Sequence, residues 1–210
     1  MKIVIVLVAL AGFFYLFRQS IDSVRSEPYV IERRHTEPWT LAIASAAALT
    51  SPILVARPPE DFGSRLFDQI FERAMESMKG SFGGGVPLVL RGEYERSLAG
   101  RYTPEALLEL ARAAGLDRAA FTPVCVSIKR VSEPGRTRQL YYVIFESPAF
   151  VEFRARLGRE AAGPASPSFD PASLSPILIV GGTEGDFDRG LPIAAAADRD
   201  CVAPIAVNEP

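Results

Sequence analysis

An uninterrupted apolar run stands near the start of the chain. Lys2 is followed by Ile3–Phe17, a stretch without a charged or amide side chain, and Arg18 closes it. A membrane-spanning helix needs about 20 apolar residues, and at least about 17, a length that snorkelling Lys2 and Arg18 side chains would help to complete. The pattern therefore predicts a transmembrane anchor over residues 1–18. The alternative is a secretory signal peptide, although no small-residue cleavage site follows Phe17.

The basic residues around this run leave the orientation of the anchor open. Arg18, Arg25, Arg33 and Arg34 follow it, and only Lys2 and the terminal amine precede it. The positive-inside rule then favours a cytoplasmic domain. A short hydrophobic start is, however, also typical of exported proteins, so both sides of the membrane remain alternatives.

A second uncharged stretch covers Trp39–Ala56. Its Ala, Ser and Thr content makes it only mildly apolar, and Pro52 would disturb a helix near its end. We therefore predict a buried helix over Pro38–Leu49 and a strand over Ile53–Ala56. The alternative is a second membrane span, because small residues suit close packing between membrane helices.

Apolar residues recur with helical spacing between residues 61 and 79, with Asp61 as a predicted N-cap and Gly80 as the predicted end. The ordinary role of such a stripe is core packing, and the alternative is a docking face for a partner. The stripe consists of Phe62, Leu66, Phe67, Ile70, Phe71, Ala74, Met75 and Met78.

Turn and capping residues divide the rest of the chain into short elements. Gly83–Gly85 are predicted to connect a helix to a strand, because the Lys and Ser or Thr of a phosphate-binding loop do not follow. Thr103 and Pro104 begin a second helix, and Gly115 ends it. The other predicted elements are a strand over Val86–Leu90, a hairpin of Thr122–Val131 and Arg138–Glu146, a helix from Ser147 to Gly158, and a strand over Ile177–Val180.

Mixed helices and strands with an antiparallel hairpin predict an α+β fold. We expect an N-terminal transmembrane helix followed by one globular domain, with helices packed on a mainly antiparallel or mixed sheet. The predicted domain covers residues 61–197. Residues 19–60 are predicted to be a juxtamembrane linker with the Ala-rich segment, and residues 198–210 a weakly structured tail with one strand at Val202–Val207.

Charge and cysteine content exclude some function classes. The net charge is −2, and acidic side chains are interleaved with basic ones, so no basic field suited to nucleic acid is present. Two cysteines, Cys125 and Cys201, are too few for a disulfide-built scaffold. Cys125 lies in an apolar run and is predicted to be a buried thiol. The alternative, for a domain in the periplasm, is a Cys125–Cys201 bridge that pins the tail.

Catalytic constellations are missing from the sequence. His35 is the only histidine and stands in a charged segment, where we expect it to be solvated. The remaining carboxylates of interest are Glu93 and Glu95, and the cluster Glu184, Asp186 and Asp188 on a glycine-rich loop. That loop could hold a hard cation, but solvated, helix-capping acids are the preferred interpretation. We therefore assign no catalytic, cofactor-binding or metal-binding residue and expect no cofactor.

A short segment is similar to one region of a known family. Phe169-Asp170-Pro171, Leu174-x-Pro176, Val180-Gly181-x-Thr183 and Asp186 resemble the last strand region of the two-histidine phosphoesterases. Those enzymes carry His-x-Thr or His-x-Ser in the strand that here reads Ile177–Val180. The resemblance therefore implies a catalytically empty domain that at most binds a ligand.

These observations lead to two functional hypotheses. The first is a non-enzymatic accessory or scaffold subunit of a membrane protein complex, located in the cell inner membrane with a single span. Its expected partners are other integral membrane subunits, and the bilayer through residues 3–17, with no nucleic acid. The second is a membrane-anchored ligand-binding domain or enzyme with a site dispersed over loops, for which the Glu184–Asp188 loop and the Arg136/Arg138 turn are the candidates.

Overall fold

A computed structural model describes residues 27–45, 48–74, 76–81, 84–118, 121–161, 169–185 and 194–209, together with Gly12 and Phe187. Nine strands and three helices of more than two turns are found in this part of the chain. They form an α+β fold with a curled mixed sheet, which confirms the predicted class.

Six strands form the larger sheet, in the order β1-β9-β6-β7-β8-β4. β1 runs parallel to β9, and the other neighbours are antiparallel. The strands are β1 (Tyr29–Glu32), β4 (Lys79–Gly80), β6 (Thr122–Glu133), β7 (Arg136–Glu146), β8 (Ile177–Gly182) and β9 (Cys201–Asn208).

A second, three-stranded sheet has the order β2-β3-β5 and is antiparallel throughout. Its strands are β2 (Thr40–Ile43), β3 (Pro52–Arg57) and β5 (Val86–Leu90). All five side chains of β5 are buried, as expected of a wholly apolar strand that is covered on both faces.

Three helices pack with these sheets, and side-chain caps begin two of them, at Thr103 and at Ser147. The three helices are α1 (Glu60–Ala74), α2 (Pro104–Ala113) and α3 (Pro148–Ala161). The Thr103 hydroxyl accepts the backbone N–H of Ala106 at 3.2 Å, and Gly115 follows α2 with a φ of 74°. Shorter helical turns cover Arg33–His35, Arg91–Glu93, Tyr94–Leu98, Pro171–Ser173 and Ala197–Asp200.

The predicted hairpin is present and longer than expected. β6 and β7 pair along their whole length, from Thr122↔Glu146 to Glu133↔Arg136. The turn between them needs Gly135, whose φ of 83° is a conformation that other residues rarely adopt. The local signals of the turn thus fixed the register of the longest strand pair in the molecule.

An aromatic cluster forms the centre of the main core. Trp39 lies 4.5 Å from Phe121 and 5.3 Å from Phe145 between ring centroids, and Phe62 of α1 lies 5.6 Å from Phe145. The buried side chains of α1 are Phe62, Leu66 and Ile70. These three members of the apolar stripe therefore pack in the core as predicted, whereas Phe71 of the same stripe is 48% exposed.

A smaller cluster lies on the opposite face of the larger sheet. Tyr142, Ile144 and Ile177 pack there with Ala195. Cys125 belongs to the same cluster and forms a disulfide with Cys201, whose Cα lies 5.7 Å away. Cys125 is therefore buried as predicted, but it is bonded rather than a free thiol, and the alternative bridge is the observed state.

The segment Trp39–Ala56 matches its prediction only in part: the strand expected over Ile53–Ala56 is present within β3. The helix predicted over Pro38–Leu49 is wrong: Thr40–Ile43 is a strand that pairs antiparallel with residues 54–57 of β3. The same pairing excludes a membrane-spanning helix across this stretch. The physical reason is non-local, because this short segment shows no clear strand pattern of its own and is held extended by its pairing with β3.

The predicted domain limits also differ from the fold. Residues 29–57, predicted as linker and Ala-rich segment, contribute β1, β2 and β3. The segment after residue 198, predicted to be a weakly structured tail, contains β9, which lies between β1 and β6 inside the larger sheet. The strand expected at Val202–Val207 is thus present and extends over Cys201–Asn208.

Helix α1 has different ends from those expected. Glu60 and Asp61 both lie in its first turn, so Asp61 is not the N-cap, and the helix ends at Ala74. Lys79–Gly80 are drawn into the sheet as β4, where they pair with β8. None of the helices within the described residues is long and apolar enough to cross a membrane. The predicted anchor over residues 1–18 lies outside these residues, apart from Gly12.

Candidate functional site

A cavity of about 350 Å³ lies between the C-terminal end of α1 and the larger sheet. This volume is at the lower end of the range of sites for small molecules. Its polar lining consists of Tyr29, Arg73, Glu76, Arg130, Gln139 and Tyr141. Its apolar lining consists of Ile70, Ala74, Ile128 and Val202.

Strand alternation brings the sheet side chains to this cavity. Ile128 and Arg130 are two residues apart on β6, and Gln139 and Tyr141 are two residues apart on β7, so each pair points to one face. The hairpin register places Ile128 opposite Tyr141 and Arg130 opposite Gln139. One polar and one apolar or aromatic side chain therefore come from each strand.

The helix supplies the opposite wall. Ile70, Arg73 and Ala74 are spaced i, i+3 and i+4 on α1, which puts them on one face. Glu76 lies just beyond α1 in the sequence, and its carboxylate contacts the sheet. The end of α1 thus places both a guanidinium and a carboxylate at the cavity.

Glu76 is the centre of a hydrogen-bonded chain. Its Oε1 accepts the Tyr141 hydroxyl at 2.6 Å, and its Oε2 accepts the Gln139 side-chain amide at 2.9 Å. The side-chain carbonyl oxygen of Gln139 in turn accepts a hydrogen bond from Nε of Arg130 at 3.4 Å. Both carboxylate oxygens of Glu76 therefore have a donor from β7, which fixes the side chain against the sheet.

Both tyrosines of the cavity are held in the neutral form. Burial raises the pKa of Tyr141 far above its usual value, and the hydrogen bond to Glu76 acts in the same direction. Burial also raises the pKa of Tyr29, partly offset by the nearby Arg73 guanidinium. At neutral pH the two phenols therefore add hydrogen-bonding groups to the site but no charge.

Arg73 fastens the N-terminal end of the described chain to α1. Its Nη1 donates to the carbonyl of Glu27 at 2.5 Å, and its Nη2 donates to the carbonyl of Pro28 at 3.0 Å. The guanidinium carbon lies 4.1 Å from the centre of the Tyr29 ring, a cation–π geometry. Arg73 is thus a positive charge in the cavity wall whose terminal nitrogens already have acceptors.

The structure brings together two sets of residues that the sequence proposed for a loop site. Glu184 forms ion pairs with Arg136 at 2.9 Å and with Arg138 at 3.1 Å. Arg138 is buried, so this pairing compensates a cation that has lost its water. The contacts attach the loop after β8 to β7. Asp186 and Asp188 lie outside the described residues.

Those pairs reduce the case for a cation at this loop. A hard cation needs several oxygen ligands with uncommitted charge, and each Glu184 oxygen already lies beside a guanidinium. Among the residues that the structure describes, no group of three or more metal-ligating side chains comes together. The Glu184 cluster is therefore best explained as a connection within the fold.

His35 is buried rather than solvated, which makes its prediction wrong. Only 6% of the residue is exposed, because the turn Arg33–His35 packs beside the start of α1. Its Nδ1 lies 3.8 Å from Asp61 and its Nε2 lies 3.9 Å from Glu32. The ring therefore joins the end of β1 to the first turn of α1.

Glu93 and Glu95, which flank Tyr94, lie in different surroundings. Glu95 is an exposed residue 3.8 Å from Arg91. Glu93 is buried and binds Arg154, with Arg154 Nη2 donating to Oε1 at 2.6 Å and Nη1 donating to Oε2 at 3.2 Å. The two carboxylates therefore do not form a pair that could share acid–base chemistry.

Comparisons with known proteins give no family for this chain: no family model, no curated protein and no solved structure matches it. The resemblance of residues 169–186 to the two-histidine phosphoesterases thus gains no support from them. In the structure, residues of this stretch serve Arg154: the carbonyls of Asp170 and Pro171 accept from its guanidinium at 3.0 and 2.9 Å.

The cavity residues were not singled out from the sequence, although part of the signal is present there. Arg130 on β6 and Gln139 on β7 are polar positions on strand faces that otherwise carry Ile128, Tyr141 and Val143. A polar residue on a strand face that otherwise carries apolar side chains points to a partner or a site. The contribution of Glu76 could not be inferred, because it depends on where α1 ends.

Proposed function

We propose that this chain is a membrane-anchored, non-enzymatic accessory or scaffold subunit of a membrane protein complex. The observation that supports the proposal most is the apolar run Ile3–Phe17, bounded by Lys2 and Arg18 and placed a short distance before the first strand. An anchor raises the effective concentration of the attached domain beside its membrane partners. A domain held in this way can act by contact alone.

The start of the fold bears on how close the domain would lie to the bilayer. Arg73 binds the carbonyls of Glu27 and Pro28, so the chain is fixed to α1 at residues 27 and 28. Residues 18–26, which connect it to the apolar run, can span at most about 30 Å when fully extended. In our proposal the cavity side of the domain therefore stays near the membrane surface.

The disulfide suggests which side of the membrane the domain occupies. Disulfides persist in oxidising compartments and are rare in the cytosol, and Cys125 and Cys201 are bonded. We infer a non-cytoplasmic domain on the inner membrane. This inference opposes the count of basic residues after the anchor, so a direct test is needed.

Native-gel mass spectrometry would test the scaffold proposal. The full-length protein is extracted in mild detergent from its own membranes and compared with a variant in which several leucine, isoleucine and valine residues of 3–17 are replaced by serine. We expect the native chain to migrate with a large complex and the variant to lose that complex. A native chain that is recovered alone and monodisperse would contradict the proposal.

Thiol labelling would test the compartment. Membranes are solubilised in the presence of a maleimide of high mass, with and without prior reduction, and a Cys125→Ser/Cys201→Ser variant serves as the unlabelled control. We expect labelling at two sites only after reduction. Labelling of freshly extracted protein without reductant would place the domain in a reducing compartment.

A membrane-anchored ligand-binding domain is the second candidate, and the cavity beside α1 is the observation that favours it. Apolar walls and a few convergent polar groups are typical of small-molecule sites, and both occur here. A ligand of this cavity should raise the melting temperature of the full-length chain. No such rise with anionic, cationic or neutral small molecules would remove this candidate.

A further inference from the structure

The charged groups of the cavity beside α1 do not balance. Arg73 and Arg130 contribute two positive charges, and Glu76 contributes one negative charge. The remaining polar groups, Tyr29, Tyr141 and Gln139, are neutral at physiological pH. The cavity therefore has an excess positive charge, although the whole chain has a net charge of −2.

The negative group, Glu76, already has hydrogen-bond donors at its carboxylate. Each oxygen of Glu76 accepts a hydrogen bond from β7, one from Tyr141 and one from Gln139. These donors spread and partly compensate its charge. A ligand that enters the cavity therefore meets a carboxylate that faces the sheet and whose two oxygens already accept hydrogen bonds.

The spare donors belong to Arg130. This exposed residue makes one hydrogen bond, from Nε to the Gln139 carbonyl at 3.4 Å. Among the residues that the structure describes, no acceptor receives a hydrogen bond from its two terminal nitrogens. Arg73 differs, since both of its terminal nitrogens donate to backbone carbonyls. Arg130 can thus bind a ligand directly, and Arg73 adds to the electrostatic field.

The other wall of the cavity suits an apolar group. Ile70 and Ala74 face it from α1, and Ile128 and Val202 face it from the sheet. A volume of about 350 Å³ is enough for a small head group with a short apolar chain. An inorganic ion would leave these apolar surfaces in contact with water and gain nothing from them.

We propose that this cavity binds an amphiphilic anion, a phosphate or carboxylate on a short apolar chain, with Arg130 as the residue that holds the anionic group. The proposal develops the ligand-binding candidate above and does not depend on the chain's being a subunit of a complex. The anion could be the head group of a membrane lipid or a free metabolite, and both present the same chemistry to Arg130.

The test uses the full-length chain in a non-ionic detergent. Hexyl phosphate is the anionic probe, hexyltrimethylammonium is the cationic probe of the same chain length, and inorganic phosphate is the probe without a chain. Binding is measured as the rise in melting temperature over a range of probe concentrations. We expect a saturable rise with hexyl phosphate, a weaker one with phosphate, and none with the cation.

Three variants test whether the charges of the cavity govern the binding of hexyl phosphate. Arg130→Gln should weaken hexyl phosphate binding about ten-fold or more, since it removes a charge-assisted hydrogen bond. Glu76→Gln keeps one acceptor oxygen for the Tyr141 hydroxyl and removes the negative charge, so it should strengthen binding. Arg118→Gln is the matched control, because it removes the same charge from a side chain that is 85% exposed and lies outside the cavity.

The outcomes separate the two sources of the anion. If phosphatidylglycerol in mixed micelles competes with hexyl phosphate and phosphatidylcholine does not, the anion is a lipid head group. No competition by phosphatidylglycerol identifies a free anion. Preference for the cation, no response to hexyl phosphate, or equal affinities of the Arg130→Gln and Arg118→Gln variants would overturn the proposal. Complex formation on native gels is read separately, so failure here leaves the scaffold proposal standing.

Discussion

Two networks in this fold use an arginine and a glutamate, and they differ in how much of their bonding capacity is used. Around Arg154, all three guanidinium nitrogens donate, to Glu93, to Ser173 and to the carbonyls of Leu88, Asp170 and Pro171. Around Glu76, the carboxylate is satisfied by β7, but Arg130 at the rim has donors to spare.

Burial explains why the first network must be complete. Arg154 has no exposed surface, and burying an unpaired charge costs several kcal/mol. Glu93 is matched as well: its Oε2 accepts the Leu90 N–H at 2.8 Å and its Oε1 accepts the Ser173 hydroxyl at 2.8 Å. A closed network of this kind holds α3, β5 and the turn Pro171–Ser173 together and has nothing left for a ligand.

Water explains why the second network can stay open. Arg130 is exposed, so its unused donors are hydrated and carry no penalty until a ligand displaces that water. The comparison teaches that a network of arginine and glutamate becomes a candidate site through incomplete use of its donors and not through its residue types. Substitutions at the two networks should therefore have very different effects on stability.

Arg154→Met is expected to have the largest effect. It removes both hydrogen bonds that Arg154 donates to Glu93 and leaves a buried carboxylate without its cation. This should lower the free energy of unfolding by about 3–5 kcal/mol. The free energy of unfolding would be measured by urea denaturation in detergent. Arg156→Met is the matched control on the same helix, where a half-exposed, solvent-screened i,i+4 pair with Glu160 should contribute less than about 1 kcal/mol.

A double variant keeps this prediction testable if Arg154→Met fails to fold. Replacing Glu93 by Gln together with Arg154→Met removes the unpaired charge while the amide can still accept from Leu90. We expect the double variant to be more stable than Arg154→Met alone, because most of the cost is the isolated carboxylate. Equal stability of the two would show that the network acts through packing.

Local signals account for the parts of the fold that the sequence predicted well. The hairpin β6–β7 follows from Pro134-Gly135 between two apolar strands, and α2 follows from Thr103, Pro104 and Gly115. Each of these signals acts within a few residues of the element that it defines. They fix the local backbone before any distant contact is made.

Non-local pairing accounts for the parts that the sequence did not predict. β1 and β9 come from opposite ends of the described chain, and Tyr29 pairs with Ile205. The sequence pattern of residues 29–32 or 201–208 alone does not indicate which strand each of them pairs with. The strand at Thr40–Ile43 has the same cause, since its extended form depends on β3.

The candidate site was missed for a related reason. Gln139 and Tyr141 read as ordinary alternating residues of a strand, and Arg73 reads as a surface residue of α1. Their meeting depends on the position of the helix end above the hairpin. Of the residues considered from the sequence, Glu184, Arg136 and Arg138 do come together, but as an ion-paired connection.

Tyr141→Phe is expected to have an intermediate effect. At neutral pH the loss of the hydrogen bond to Glu76 should cost about 1–2 kcal/mol, since the acceptor is charged. This is smaller than the effect at Arg154, because Glu76 keeps its bond to Gln139 and has access to water. Urea denaturation at pH 7 would measure it, and a cost as large as that of Arg154→Met would contradict the contrast between the networks.

The same tyrosine predicts a dependence of stability on alkaline pH. Burial raises the pKa of Tyr141 in the folded state above that of the unfolded chain, about 10. Its contribution is therefore fully present below pH 10 and is lost as the pH rises from there towards the folded pKa, by about 1.4 kcal/mol per pH unit. Tyr141→Phe should reduce this slope in denaturation measured between pH 9.5 and 11. An unchanged slope would show that Tyr141 ionises equally in both states.

Gln69→Ala is expected to have the smallest effect on stability, because water can replace what is lost. The Gln69 amide donates to the Val30 carbonyl at 2.8 Å and accepts the Val30 N–H at 2.9 Å, so it covers the outer edge of β1. Its removal should cost about 0.5–1 kcal/mol, the range of a net neutral hydrogen bond. Gln69→Glu retains the acceptor for the Val30 N–H but places a second acceptor against the Val30 carbonyl, so it should cost at least as much. The uncovered edge should also pair with other chains, so light scattering would report association at high concentration for Gln69→Ala above that of the native chain. A cost similar to that of Arg154→Met would contradict the comparison. It would show that the loss of an exposed contact, which water can replace, costs as much stability as the loss of a buried one.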